Sequence, residues 1–136
     1  MAFAKEFLPA VLDLIEEIRR DNPQEAQKAM EGMFGHLQNL RRLQANDPEM
    51  FESALKETRL EAQAEGIARQ IRMLCRQGKE TNLLRNQLSQ ILEQQFAIRE
   101  ARREMEIRKL EKRIEELRAI LEARRKENKD DIIARH

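Results

Sequence analysis

The 136-residue chain contains no tryptophan and no tyrosine, one cysteine, two histidines, three prolines and four glycines. Each scarcity excludes something. A lone Cys75 leaves no intrachain disulfide and no multi-cysteine zinc or iron–sulfur site. With one of its two histidines at the terminus, the chain has little material for acid–base chemistry. It has no phosphate-cradling glycine loop, no Gly-x-Ser-x-Gly elbow, no His-Glu-x-x-His helix and no Cys-x-x-Cys-His haem attachment site. No enzyme class is therefore expected, and no cofactor or small-molecule substrate.

No stretch approaches the ~20 apolar residues that a membrane span requires. The N-terminus lacks a basic segment followed by an apolar run and a cleavage site, so the chain as given is expected to be soluble without a span of its own. Its start at Met1-Ala2-Phe3 and its end at Ile133-Ala134-Arg135-His136, still helical in composition, are equally those expected of a longer protein shortened at a signal or anchor. The compartment is not readable, and the cell envelope or periplasm is the expectation if such a signal has been removed.

What is present is charge and aliphatic surface. Charged residues make up 38% of the chain, yet Lys+Arg 26 against Asp+Glu 25 leaves a formal net charge of +1. Residues 1–60 carry 8 basic and 11 acidic side chains (−3), and residues 61–136 carry 18 and 14 (+4). That imbalance is too weak to imply a polyanion, so no nucleic-acid partner is expected. Five phenylalanines are the whole aromatic supply, which points to a core of Leu, Ile, Met and Ala, to packed helices and to an elongated shape.

Proline and glycine punctuation divides the chain into four predicted helices. The first runs from about Phe3 to Arg20, with Leu8, Val11, Leu12, Ile15 and Ile18 at steps of three and four and Pro9 in or near its first turns. Asp21-Asn22-Pro23 ends it and starts the second, because Asn caps orphan amides and Pro at the first helical position forfeits no hydrogen bond. Asn46-Asp47-Pro48 repeats the device. The two prolines are followed by apolar residues at matching offsets, Ala26, Ala29 and Met30 against Phe51, Ala54 and Leu55, as in a degenerate helix-turn-helix repeat. The third helix runs from Pro48 to about Arg76, where Gln77-Gly78-Lys79 supplies a left-handed C-cap. Thr81 or Asn82 caps the fourth, and a tight turn between two long helices predicts an antiparallel hairpin.

The fourth helix shows two apolar stripes. Leu84, Leu88, Ile91 and Ile98 form one, and Ile107, Leu110, Ile114, Leu117 and Leu121 form a strict three-four seam of coiled-coil type. Between them Arg99, Arg102 and Arg103 interrupt the apolar face, and the step from Phe96 to Ile107 signals a phase shift. At ~1.5 Å per residue the third helix is about 43 Å long and residues 81–126 about 68 Å. Folded back from Gly78, the third helix reaches only to about residue 109. The seam beyond it then requires the first two helices, a second copy or another protein. Whether the helix continues through Asn128-Lys129-Asp130 or restarts there stays open, since Asn and Asp favour caps and turns.

Other residues carry two readings each. Met30, Met33 and His36 place two thioethers and an imidazole along one side of the second helix, a soft ligand set suited to Cu(I). Methionines at that spacing also fill core, and Gly32 and Gly35 beside them suit close helix packing or a bend; no metal is the preferred reading. Cys75 is read as a small apolar filler before a reactive thiol beside Arg72 and Arg76. Gly66 suggests a close backbone approach or nothing. Arg99, Arg102 and Arg103 contact an acidic partner, or form a solvated face paired with Glu100, Glu104 and Glu106.

The stretch from Ile107 to Ile133, with Arg, Lys and Glu surrounding the seam, together with Asn46-Asp47-Pro48-Glu49-Met50-Phe51, resembles uncharacterised bacterial proteins of planctomycete type that carry an envelope-directed N-terminus and a long Arg/Glu helix. The architecture is also similar to the periplasmic chaperones of the Spy and CpxP type, cradle-shaped helical dimers that bind client or sensor proteins. Their Leu-Thr-x-x-Gln motif is absent, and Thr81-Asn82-Leu83-Leu84 occupies a comparable helix start without matching it.

These readings converge on an all-α chain of four helices. Residues 1–46 form an N-terminal helical hairpin, and residues 47–136 a long antiparallel hairpin with a protruding C-terminal coiled coil. The expected function is a non-enzymatic adaptor, scaffold or assembly factor that binds a protein partner, itself as a dimer, or both. It would do so through Ile107, Leu110, Ile114, Leu117 and Leu121 with Arg99, Arg102 and Arg103. The alternative is a Spy- or CpxP-like chaperone or a metal-responsive envelope sensor.

Overall fold

The computed structural model describes residues 2–135, and among them the chain is all-α. Five helices follow in order: α1 (Ala2–Phe7), α2 (Pro9–Asp21), α3 (Pro23–Asn46), α4 (Pro48–Arg76) and α5 (Asn82–Arg135). The first predicted helix is thus two. Pro9 has no N–H to continue the ladder, and it disfavours the α conformation in the residue before it. Leu8 accordingly turns to φ −133°, ψ 52°, and Pro9 opens α2 as its first residue. The break leaves Leu8 wholly buried, with its N–H on Ala4 O at 2.8 Å.

The other boundaries fall where local chemistry puts them. Asn22 Oδ1 accepts from the amides of Gln24 at 3.2 Å and Glu25 at 3.3 Å ahead of α3. Asp47 Oδ1 accepts from Met50 N at 3.3 Å ahead of α4. At the end of α4, Gly78 adopts φ +69°; its N–H reaches Cys75 O at 3.1 Å and the Lys79 N–H reaches Leu74 O at 2.9 Å. That pair of bonds closes a Schellman cap, which needs the left-handed residue that glycine supplies without a Cβ clash.

The residues group into two units, divided between Glu100 and Ala101. In the first, α1 to α4 pack around one apolar core. Phe3, Ala4 and Leu8 enter it from the N-terminal turn, Ile15 and Ile18 from α2, Ala26, Met33, Leu37 and Leu40 from α3, and Phe51, Ala54 and Leu55 from α4. The matching offsets after Pro23 and Pro48 therefore face the same interior. This core crosses the 46/47 division read from the sequence. Phe7 stands edge-on to Phe51 at 5.6 Å between ring centroids and 4.8 Å from Phe3, an arrangement that suits the ring quadrupoles. The Arg41 guanidinium lies over Phe3 at 5.6 Å. Polar ties close the rim: Arg59 Nε donates to Phe7 O at 3.0 Å, and Arg69 pairs with Asp21 at 2.5 Å.

Within the same unit the start of α5 runs antiparallel to α4. Arg99 Nε meets Glu57 Oε1 at 2.8 Å, and Arg85 Nη2 approaches Cys75 Sγ at 3.6 Å. Thr81, just before α5, is buried and accepts from Arg85 Nε at 2.9 Å. Leu84, Leu88, Ile91 and Ile98 are half-buried. The residue that completes their heptad spacing is Gln95, 5% exposed, while the neighbouring Phe96 is 65% exposed. Heptad phase outweighs side-chain polarity there, because a helix cannot turn Phe96 inward without turning its whole stripe away.

The second unit is the remainder of α5. The helix continues without interruption through Asn128, Lys129 and Asp130. Every described residue from Glu106 onward is exposed. Ion pairs within the helix, Glu104 with Arg108 at 3.7 Å and Arg113 with Glu116 at 3.5 Å, support it at a few tenths of a kcal/mol each, typical of exposed pairs of this spacing.

Candidate protein-docking site

The residue choice that makes this surface is the seam itself. Ile107, Leu110, Ile114, Leu117 and Leu121 recur at steps of three and four, so a straight helix gathers them on one side. Their exposures run from 48% to 64%. Ile120, 45% exposed, lies beside Leu121 and widens the apolar strip. It was missed in the sequence because it falls outside the three-four spacing, although a position adjoining the seam is where such a residue extends a contact. The flanks carry Glu104, Glu111, Arg118 and Arg125 on one side, all exposed.

The arginines assigned to a partner divide. Arg99 is engaged within the chain by Glu57; the hydrogen bond to that carboxylate, then its charge, raises the Arg99 pKa above its ordinary value. Arg102 is half-buried and Arg103 exposed. Neither is without an interaction within the chain.

The methionine and histidine constellation is distributed between packing and hydrogen bonding. Met33 is buried in the core and Met30 packs against it. His36 Nε2 lies 2.6 Å from Thr58 Oγ1, whose own proton is directed to Ala54 O at 2.9 Å. A hydroxyl has one proton to give, so His36 donates from Nε2. Among the described residues no group of three or more His, Cys, Asp or Glu is placed to hold a metal ion.

The reading of Cys75 is corrected, and of the two readings of the helical glycines the close approach is removed. Cys75 is exposed and is not a core filler. A Cβ built on Gly32, Gly35 or Gly66 meets nothing within 4 Å, so no close helix approach explains any of the three. Among the described residues no helix is long and apolar enough to cross a membrane.

The first unit has apolar surface of its own. An open trough of about 400 Å³ between α4 and α5 is lined by Ile71, Leu88 and Leu92 with Arg72 and Arg85 at its sides. Phe34, Leu83 and Phe96 are exposed elsewhere on that unit. No family model matches the chain, and no curated protein or solved structure does so.

Proposed function

We propose that this chain is a non-enzymatic helical adaptor or scaffold that docks on protein through the Ile107–Leu121 seam. One observation carries the reading: five large aliphatic side chains stand in register on one helix face, each about half exposed or more. Covering such a side chain is worth about 1.5–3 kcal/mol, whereas left in water the row invites aggregation. A protein surface with a complementary apolar stripe satisfies it. The interleaved flanking charges then select partner and direction, contributing little energy of their own.

The test is a paired substitution, Ile114→Arg with Leu117→Arg, in a chain carrying a photo-crosslinker at Lys112. The unsubstituted chain is expected to give one crosslinked protein species at fixed ratio, and the variant to lose it while keeping its helical circular dichroism. A crosslinking pattern indifferent to the substitution would remove the reading.

A second reading, a chaperone of the Spy and CpxP type, is favoured by the dispersed exposure of Phe34, Leu83, Leu92 and Phe96 on the first unit. It predicts suppression of aggregation of unrelated unfolded proteins, with no fixed stoichiometry. Fixed-ratio binding that survives Phe34→Ser and Phe96→Ser would dismiss it.

A further inference from the structure

Resting on the docking reading, we propose that the occupant of the seam is a second copy of this chain, lying antiparallel and centred between Glu115 and Glu116. Assigning Ile107, Ile114 and Leu121 to heptad position a and Leu110 and Leu117 to position d puts β-branched residues at two of three a positions and Leu at both d positions. That composition favours two strands over three or four. Its orientation preference is known from parallel coils, so the flanking charges must decide direction here.

They do so in one sense. In the same register, the e positions read Glu104, Glu111, Arg118 and Arg125, two acids followed by two bases. The g positions read Glu106, Arg113, Ile120 and Glu127. A parallel pair sets each g residue against the e residue of the following heptad on the other copy. That places Glu106 against Glu111 and Arg113 against Arg118, like charges at both central contacts. An antiparallel pair sets e against e. Glu111 then meets Arg118 of the second copy, Glu104 meets Arg125 of the second copy, and the two-fold axis repeats each pair.

The apolar layers close in the same register: Leu110 packs against Leu121 of the second copy and Ile114 against Leu117 of the second copy. At the ends Ile107 lies under the aliphatic stem of Arg124 of the second copy, a use of arginine that keeps its charge in water. Glu106 opposite Glu127 of the second copy is the one unfavourable charged contact among the e and g rows. The four favourable ones outnumber its two symmetry-related instances. Shifted one heptad toward the N-terminus, the pair would set Arg113 and Glu111 each against its own symmetry mate; shifted one heptad toward the C-terminus, it would keep favourable charge contacts but leave Leu110 opposite Asn128 and Ile114 opposite Arg124, losing apolar layers.

Glu111, Arg118 and Arg125 are exposed on the isolated chain, so their side chains are accessible to the pairing. A seam of about two heptads is short for a coiled coil, and the dimer is expected to dissociate on dilution through the micromolar range. Added salt weakens it, since the selecting contacts are solvent-facing.

Charge reversal distinguishes the arrangements. Sedimentation equilibrium should show self-association weakened by about tenfold in Glu111→Arg and returned to the original value in Glu111→Arg with Arg118→Glu. In a parallel pair the same single reversal would face Glu106 and tighten the dimer, which would overturn the proposal. A spin label at Ile133→Cys in a Cys75→Ser background should report about 50 Å between labels, set by the helical rise from the dyad. A short label distance would overturn it as well. A chain that remains monomeric at ~100 µM, well above the micromolar range of such a coil, removes the second copy. In that case the docking reading is judged separately by the Ile114→Arg, Leu117→Arg crosslinking experiment.

Discussion

Arg99 donates from Nε to Glu57 Oε1 at 2.8 Å, across 42 residues of sequence. Glu57 lies 21 residues before Gly78 and Arg99 lies 21 after it, so the two occupy equivalent positions on the arms of the α4–α5 hairpin. The register of the hairpin, set at Gly78, is held at the far side of α4 by this ion pair.

The raised Arg99 pKa fixes the sign of its pH dependence. A cation whose folded pKa lies above its unfolded value stabilises fully below the unfolded value, which for a guanidinium is far above neutrality, and loses that contribution only as pH rises through the folded value. Arg99→Ala should therefore lower the melting temperature modestly and by the same amount at every pH between about 7 and 10. Thermal melts of the two chains across that range check it; a difference that shrinks toward pH 10 would assign the effect to another group.

Burial separates the two units by what a truncation does. Leu40 is 0% exposed, and Leu40→Ala should cost about 2–5 kcal/mol through lost transfer energy and the cavity left behind. Leu117→Ala, on the exposed seam, should stay within about 0.5 kcal/mol in dilute solution. Urea denaturation below micromolar concentration measures both.

Two glycines should respond in opposite directions. Gly66 is in the interior of α4 with open space around its missing Cβ, so Gly66→Ala should raise stability by about 1 kcal/mol. Gly78 holds φ +69°, where an L side chain is strained, so Gly78→Ala should lower stability by about 1 kcal/mol despite equal room. A matched pair of denaturation curves decides the matter.

His36 should be found with its proton on Nε2, because Thr58 has committed its hydroxyl proton to Ala54 O. Nitrogen-15 NMR of the imidazole reads the tautomer directly. Thr58→Val should relax that preference and cost about 0.5–1.5 kcal/mol for the lost bonds, since the exposed ring can turn to water instead. An Nδ1–H signal in the unsubstituted chain would contradict the assigned hydrogen-bond direction.

The helix starts at Pro23 and Pro48 and the stop at Gly78 were readable from the residues alone, because caps and breakers act over three or four neighbouring amides. The seam from Ile107 to Leu121 was readable for the same reason: its spacing and its aliphatic character are local properties. Pro9 was misjudged. A proline in a first turn and a proline that opens a new helix look alike until the burial of Leu8 selects between them. Other assignments depended on partners distant in sequence. Phe7 and Phe51 meet edge-on across 44 residues, Thr58 takes the imidazole of His36, and Gln95 is inside while Phe96 is out. Composition and periodicity determined that this chain would be helices with an apolar edge, since hydrogen bonding and side-chain phase are set within a few turns. Which side chains that edge and its core enclose was decided only by tertiary packing, where the free energy depends on what stands opposite.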